Sequence, residues 1–294
     1  MSDTTAKGLS GVWAAGLTPF QEDLRIDHRL LISHVEWLFE DGCHGVLLFG
    51  TTGEAMSCSV SERRQALDAV MEAGLDPARI LVGTGAAALP DAIELTEHAT
   101  SHGVAGCLVV PPFYLPDQGP EGVLAGYRAL LEGVDATPRL LLYHIPQVSG
   151  VAIHDEVITG LGDVVLGIKD SSGVWDNTIH LIEDFAHLAV FRGSEDRISD
   201  ILDAGAVGVI SSTGNIMASA MRQVYDEGID DSVLTAARLA FAKVPTVSVA
   251  KAILAEWTGE PSWRMVRPPL LPATEIPPTI RDALGTLDLS GSRI

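Results

Sequence analysis

Lys169 closes the apolar run Val164-Val165-Leu166-Gly167-Ile168 and is followed at once by Asp170-Ser171-Ser172-Gly173. An amine at the end of a buried strand, just before a small-polar turn, is poorly placed for solubility. Desolvation there disfavours the ammonium form, and a neutral amine is a nucleophile toward ketones. Asp170 does not cancel this, because successive strand side chains point to opposite faces. The plainer alternative is a strand-end lysine that reaches water along its own stem. Tyr143 ends another apolar strand, where its hydroxyl either finds a structural partner or does proton chemistry. Gly50-Thr51-Thr52-Gly53 combines flexible backbone, two hydroxyls and free N–H groups, which suits a carboxylate, with an ordinary turn as the alternative. It lacks the Gly-Lys-Ser/Thr ending of a phosphate loop. A neutral lysine, a phenol and an anion-binding hydroxyl loop on one rim describe Schiff-base chemistry on a 2-oxo acid.

These groups meet only if the chain brings the ends of several strands together. Short apolar segments at 12–17, 45–49, 80–83, 106–110, 139–143, 165–169, 190–193 and 207–210 alternate with helical patterns. Several, Gly45-Val46-Leu47-Leu48-Phe49 among them, are continuously apolar, as expected of parallel strands covered on both faces. Between them, Ser59-Val60-Ser61-Glu62 fits a capping box, with Leu67, Val70, Met71 and Gly74 following at helical spacing. Residues 91–99 make a further helix. Eight such units predict an α/β fold, a (β/α)8 TIM barrel over 1–225, with a helical extension over 226–294. Helices are expected near 231–255 and 280–287, separated by the Pro-rich segment 267–278, and the extension could serve subunit packing. In such a barrel the chemistry sits at the C-terminal ends of the strands, where Thr51, Tyr143 and Lys169 all fall.

The 294 residues carry 19 basic and 39 acidic side chains, a net charge of −20. That field argues against nucleic acid or anionic membrane as a partner. The apolar stretches are strand-sized, far below a membrane span, and residues 1–7 lack the apolar core of a signal peptide. Cys43, Cys58 and Cys107 are scattered and without metal spacing, which fits incidental thiols in a reducing cytoplasm. No metal site is expected from these thiols, and the chain is expected to need no cofactor.

Gly50-Thr51-Thr52-Gly53-Glu54, Tyr143-x-x-Pro146 and Gly167-Ile168-Lys169-Asp170-Ser171-Ser172-Gly173 resemble the signatures of the dihydrodipicolinate synthase / N-acetylneuraminate lyase family of class I aldolases. The likeness runs over roughly residues 8–225. It implies a lysine–pyruvate imine formed without metal, with pyruvate and an aldehyde as substrates, in a homotetramer built as a dimer of dimers. Residue by residue, it makes Lys169 the Schiff-base lysine and Tyr143 the proton relay. Thr51 and Thr52 would hold the pyruvate carboxylate beside Gly53. Tyr114 matches a tyrosine inserted across a subunit contact and joins the catalytic group, although it follows Phe113 and could be packing. Gly193 and Ile210 match positions lining the pocket.

Family synthases that use aspartate semialdehyde carry an arginine two residues after the proline of the tyrosine motif. Val148 stands there instead, and a valine cannot pair a carboxylate. The segment Ile145-Pro146-Gln147-Val148-Ser149-Gly150 resembles the sugar-acid lyases. Ser194-Glu195-Asp196 parallels the acidic pair with which sialic acid lyases bind hydroxyls, and Ser212-Thr213-Gly214-Asn215 parallels their last loop. Glu195 and Asp196 could equally lead the next helix. His144 should face outward, as packing. The leading expectation is a lyase that cleaves or forms a 2-keto-3-deoxy sugar acid or related 2-oxo acid. The alternatives are the dihydrodipicolinate-forming condensation, a sugar-acid dehydratase, and a non-catalytic 2-oxo-acid sensor. Gly83-Thr84-Gly85 could start a dinucleotide fingerprint, but Ala88 stands at its third glycine position, and His98 with His102 reads as a surface pair rather than a zinc site.

Overall fold

The eight apolar segments are strands: β1 Gly11–Ala15, β2 Gly45–Leu48, β3 Ile80–Gly83, β4 Gly106–Val109, β5 Leu140–His144, β6 Val165–Asp170, β7 Ala189–Arg192 and β8 Gly208–Ser211. Neighbours pair in parallel and β8 returns to β1, which closes a barrel in sequence order. The computed structural model describes residues 9–285. A helix follows every strand, from His28–Glu40 after β1 to Gly214–Glu227 after β8, so this is a (β/α)8 barrel. The helices Ser232–Phe241, Thr246–Thr258 and Pro278–Gly285 form the C-terminal extension. The expected last helix ran to 287; positions 286 and 287, like the leader-type reading of residues 1–7 and the start of the family likeness at residue 8, lie outside the described residues.

Local chemistry explains the element ends. Ser59 caps the helix Val60–Glu72: its hydroxyl accepts from the Glu62 N–H at 3.3 Å, and the Glu62 carboxylate accepts from the Ser59 N–H at 2.9 Å. That reciprocal pair satisfies two donors that a helix start leaves open. Asp27 caps His28–Glu40 in one direction only, accepting from the Leu30 N–H at 2.9 Å. No single helix among the described residues is long and apolar enough to cross a membrane.

Two apolar layers result. The barrel interior is filled by Trp13, Leu47, Leu81, Leu141, Phe191 and Ile210. The layer between strands and helices holds Val12, Val46, Ile168 and Val190 among others. One irregularity decides what faces inward. Leu140 pairs with Val165 but Leu141 pairs with Gly167, so Leu166 is an extra residue, a bulge. Val165 packs in the outer layer; simple alternation from it would turn Lys169 outward as well. The bulge resets the alternation, Leu166 packs against the interior, and Lys169 comes to share the inward face with its cross-strand partner Tyr143. Gly167 belongs to the same device. A Cβ there would lie 2.4 Å from the Ala189 carbonyl oxygen on β7, so no larger residue fits.

Candidate active site

Lys169 is buried, and its Nζ lies 4.6 Å from the centre of the Tyr143 ring. The two residues are directly paired across β5 and β6 near the ends of those strands. Tyr143, also buried, has its hydroxyl 3.4 Å from Thr51 Oγ1. Amine, phenol and threonine hydroxyl thus converge on one point of the rim. Asp170 turns the other way, as alternation requires: its carboxylate accepts from the Ser172 N–H at 3.0 Å and the Thr178 hydroxyl at 2.6 Å. His144 faces outward too, with Nδ1 accepting from the Ile153 N–H at 3.1 Å; burial lowers its pKa.

The loop after β2 is held from three sides. Thr18 Oγ1 donates to the Gly53 carbonyl at 2.7 Å, and the Glu54 N–H closes onto the Thr51 carbonyl at 3.1 Å. Glu54 itself adopts a left-handed backbone, φ 54°. A non-glycine residue holds that conformation only when its surroundings enforce it. Here the carboxylate accepts from Lys251 Nζ at 2.5 Å and from the Arg267 N–H at 2.9 Å. Both partners belong to the C-terminal extension. Thr51 is exposed and Thr52 half-buried at the tip of this anchored loop.

Across the barrel, Gly193 donates its N–H to the Asp170 carbonyl at 2.7 Å, and a Cβ on it would run into Ser171 Oγ. Ile210 is fully buried in the interior. Ser212 is half-buried, and its carbonyl accepts from Asn215 Nδ2 at 2.7 Å. A cavity of about 310 Å³ opens beside Tyr143 and Thr51, between the loops after β2, β4 and β5. Phe113, Val148 and, from the extension, Pro269 and Leu270 take part in its wall.

This geometry has close counterparts. Residues 8–276 match the model of the dihydrodipicolinate synthetase family. The chain belongs to this family. It is 39% identical over 274 residues to a DapA-like lyase of Chloroflexus aurantiacus, covering 89% of this chain and 91% of that one. It is 31% identical to the 4-hydroxy-tetrahydrodipicolinate synthase of Methanococcoides burtonii, covering 89% and 92%. The crystal structure of dihydrodipicolinate synthase from Agrobacterium tumefaciens superimposes with a TM-score of 0.87 at 31% identity, over 94% of this chain and 98% of that one. As a member of the dihydrodipicolinate synthetase family, the chain is a carbon–carbon lyase of the class I aldolase type.

Within that family frame, the remaining predicted residues sit as follows. Glu195 is buried beneath the rim. It accepts from Ser211 Oγ at 2.5 Å and from Thr213 Oγ1, and Arg238 Nε of the extension lies 3.5 Å away. Asp196 is paired with Arg192 Nη2 at 3.1 Å and accepts from Ser194 Oγ. Both carboxylates therefore have partners inside the protein, and neither is part of the cavity wall. Tyr114 is 79% exposed on the loop after β4, while its neighbour Phe113 faces the cavity. His98 on the helix Leu89–Ser101 and His102, which caps its C-terminus, share a third partner: their Nε2 atoms lie 2.8 and 2.9 Å from Asp68 Oδ1. This cluster could hold a cation, but it sits on the outer helices, away from the strand ends.

Sequence reasoning missed four contributors. The role of Glu54 depended on Lys251, whose signal was a lone lysine inside the apolar run Ser248-Val249-Ala250-Lys251-Ala252-Ile253-Leu254. Phe113 and Leu270 had no signal, because an apolar residue in a loop is ambiguous until its neighbours are known. Asn215 stood in a quoted motif without a role. Its Oδ1 accepts from the Leu17 N–H at 3.0 Å while Nδ2 donates to the Ala15 carbonyl at 2.8 Å, fastening the last loop to the end of β1.

Proposed function

We propose that the protein is an imine-forming pyruvate lyase, with Lys169 as the nucleophile. The observation that supports this is the convergence of the Lys169 amine, the Tyr143 ring at 4.6 Å and the Thr51 hydroxyl at 3.4 Å from the phenol. The amine adds to the C2 carbonyl of a 4-hydroxy-2-oxo acid, and loss of water gives the protonated imine. The C4 hydroxyl then loses its proton, the C3–C4 bond breaks, and its electron pair moves into the imine, leaving an enamine and a free aldehyde. Protonation at C3 and hydrolysis return pyruvate and the lysine. Tyr143 moves protons in the addition and cleavage steps. Thr51, Thr52 and the N–H groups around Gly53 hold the carboxylate, which the chain's net charge of −20 would otherwise repel. No step uses a cofactor.

The same chemistry in reverse would serve the condensation named for the relatives that are about 31% identical. Val148 speaks against an anionic aldehyde, because it puts an isopropyl group where a carboxylate needs a cation. Tyr114 and Leu115, exposed at 79% and 66%, suit contact with another copy, in line with a homotetramer in the cytoplasm. Borohydride reduction in the presence of pyruvate, followed by intact-mass measurement, tests the nucleophile. The expected result is one stable adduct on the natural chain and none on Lys169→Ala. An adduct that survives that substitution would refute the assignment.

A further inference from the structure

The cavity touches Thr51 and Tyr143, the cross-strand partner of Lys169, and does not include Lys169 itself. It measures about 310 Å³, the lower end of the range for small-molecule pockets. Its wall includes Leu108, Val110, Phe113, Ile145, Val148 and Leu270. Of the polar side chains that also touch it, Thr51 and Tyr143 are assigned above to the pyruvate half, Ser57 adds one half-buried hydroxyl, and the others are already committed. Glu54 accepts from Lys251 Nζ and the Arg267 N–H. Ser149 Oγ lies 3.0 Å from the Ile145 carbonyl and 2.9 Å from that of Val151, and accepts from the Val151 N–H at 3.2 Å. Arg63, close to this wall, donates to the carbonyls of Gly83 and Gly85 and is not itself part of the wall.

A sugar tail placed here would find one uncommitted side-chain hydroxyl, that of Ser57, for its several hydroxyls, and a carboxylate would lack a counter-charge. The groups left over would carry their desolvation cost uncompensated. On the β7–β8 side, where a sugar tail could turn instead, Glu195 and Asp196 are engaged by Arg238, Ser211, Thr213 and Arg192. We infer that the aldehyde partner has an apolar body, an aromatic ring or a branched alkyl group, seated against Phe113, Val148 and Leu270. This inference rests on the imine chemistry proposed above. The balanced step is addition of the pyruvate enamine C3 to the aldehyde carbon, the aldehyde oxygen taking a proton. Hydrolysis then releases a 4-hydroxy-2-oxo acid with an apolar substituent at C4.

The test runs the natural protein in the condensation direction with pyruvate and one of three aldehydes: benzaldehyde, glyceraldehyde or aspartate semialdehyde. Product is followed by mass spectrometry. Benzaldehyde should exceed both polar aldehydes in kcat/KM by at least tenfold. Equal or better turnover of either polar aldehyde would overturn the inference. Val148 is 62% exposed, so Val148→Arg is tolerated by the fold. That variant should lower the ratio of benzaldehyde to aspartate semialdehyde by tenfold or more, and an unchanged ratio counts against the assignment. Borohydride trapping with pyruvate alone runs in parallel. An adduct with the wrong aldehyde preference overturns only the apolar partner, whereas no adduct overturns the imine mechanism and the partner together.

Discussion

Nζ of Lys251 lies 2.5 Å from Oε1 of Glu54, and both side chains are sealed from solvent. The pair joins the carboxylate-binding loop after β2 to the helix Thr246–Thr258 of the extension. Lys251 also donates to the Met265 carbonyl at 2.8 Å and lies 4.4 Å from the centre of the Phe20 ring. Burial pushes its amine down from the ordinary lysine range, with Glu54 pulling the other way. Further along the extension, Arg267 pairs with Glu62 and donates to the Ser57 and Leu24 carbonyls at 2.6 and 2.7 Å. The extension is therefore a clamp on the rim. It sets the backbone of Glu54 and, through it, the position of Thr51 and Thr52.

Removing one partner should be costly. Lys251→Met takes the charged partner from a buried carboxylate and leaves it only the Arg267 N–H, which is expected to lower unfolding free energy by about 3–5 kcal/mol. The double variant Lys251→Met with Glu54→Gln should lose less than Lys251→Met alone, because no charge is stranded. Urea unfolding of the natural chain, the single and the double variant measures this. A double variant less stable than Lys251→Met would refute the pairing account. Both variants should also raise KM for pyruvate, since the loop loses its anchor.

Tyr143 and Thr51 should separate by kinetics. Tyr143→Phe keeps the ring beside Lys169 but removes the hydroxyl 3.4 Å from Thr51 Oγ1. Turnover is expected to fall by about 10²–10⁴-fold, the usual size of a lost proton-transfer group, while the pyruvate adduct still forms. Thr51→Ala should act chiefly on KM for pyruvate. A Tyr143→Phe enzyme with undiminished kcat would remove the phenol from the mechanism.

The strands were legible because each is a short apolar run ended by turn residues, and parallel strands are buried on both faces. The helix after β2 was legible from Ser59 and Glu62, since a capping box is a purely local device. The inward aim of Lys169 was inferred rightly but for an incomplete reason. Alternation separates Lys169 from Asp170, yet it takes the Leu166 bulge to put Lys169 on the inner face. A bulge depends on two strands at once, and nothing near Leu166 announces it. The same limit applies to Glu195, whose partners Ser211, Thr213 and Arg238 come from β8, its loop and the extension. The resemblance to sialic acid lyases suggested sugar hydroxyls as its partners; in the structure an arginine and two hydroxyls surround it.

His34 should make the fold acid-sensitive. Its Nε2 donates to Asn215 Oδ1 at 2.8 Å, and its ring sits between Trp37 and Trp263, with centroids at 5.6 and 4.8 Å. Burial lowers its pKa from 6.5 to about 4. Between those values the unfolded chain binds a proton that the folded chain does not. The contribution is thus complete above pH 6.5 and lost as pH falls through 4, worth roughly 3 kcal/mol at about 1.4 kcal/mol per unit. Urea unfolding at pH 7 and pH 5 should show the decline, and His34→Gln should flatten it. An identical slope in that variant would assign the acid sensitivity elsewhere.

The three thiols should report opening of the barrel. Cys43, Cys58 and Cys107 are free and buried. Burial raises their pKa values to about 12, 11 and 11, so thiolate is scarce at neutral pH. Thiolate is the reactive form, and a disulfide reagent must also reach the sulfur. Under native conditions Ellman's reagent should therefore label none of the three on the timescale of a free thiol. In urea all three should react, with a midpoint that coincides with loss of secondary structure. Cys58 lies closest to the rim, on the loop fastened by Glu54 and Arg267. In Lys251→Met, that thiol should become reactive at lower urea than the other two. Simultaneous release of all three would mean that the loop does not open before the barrel does.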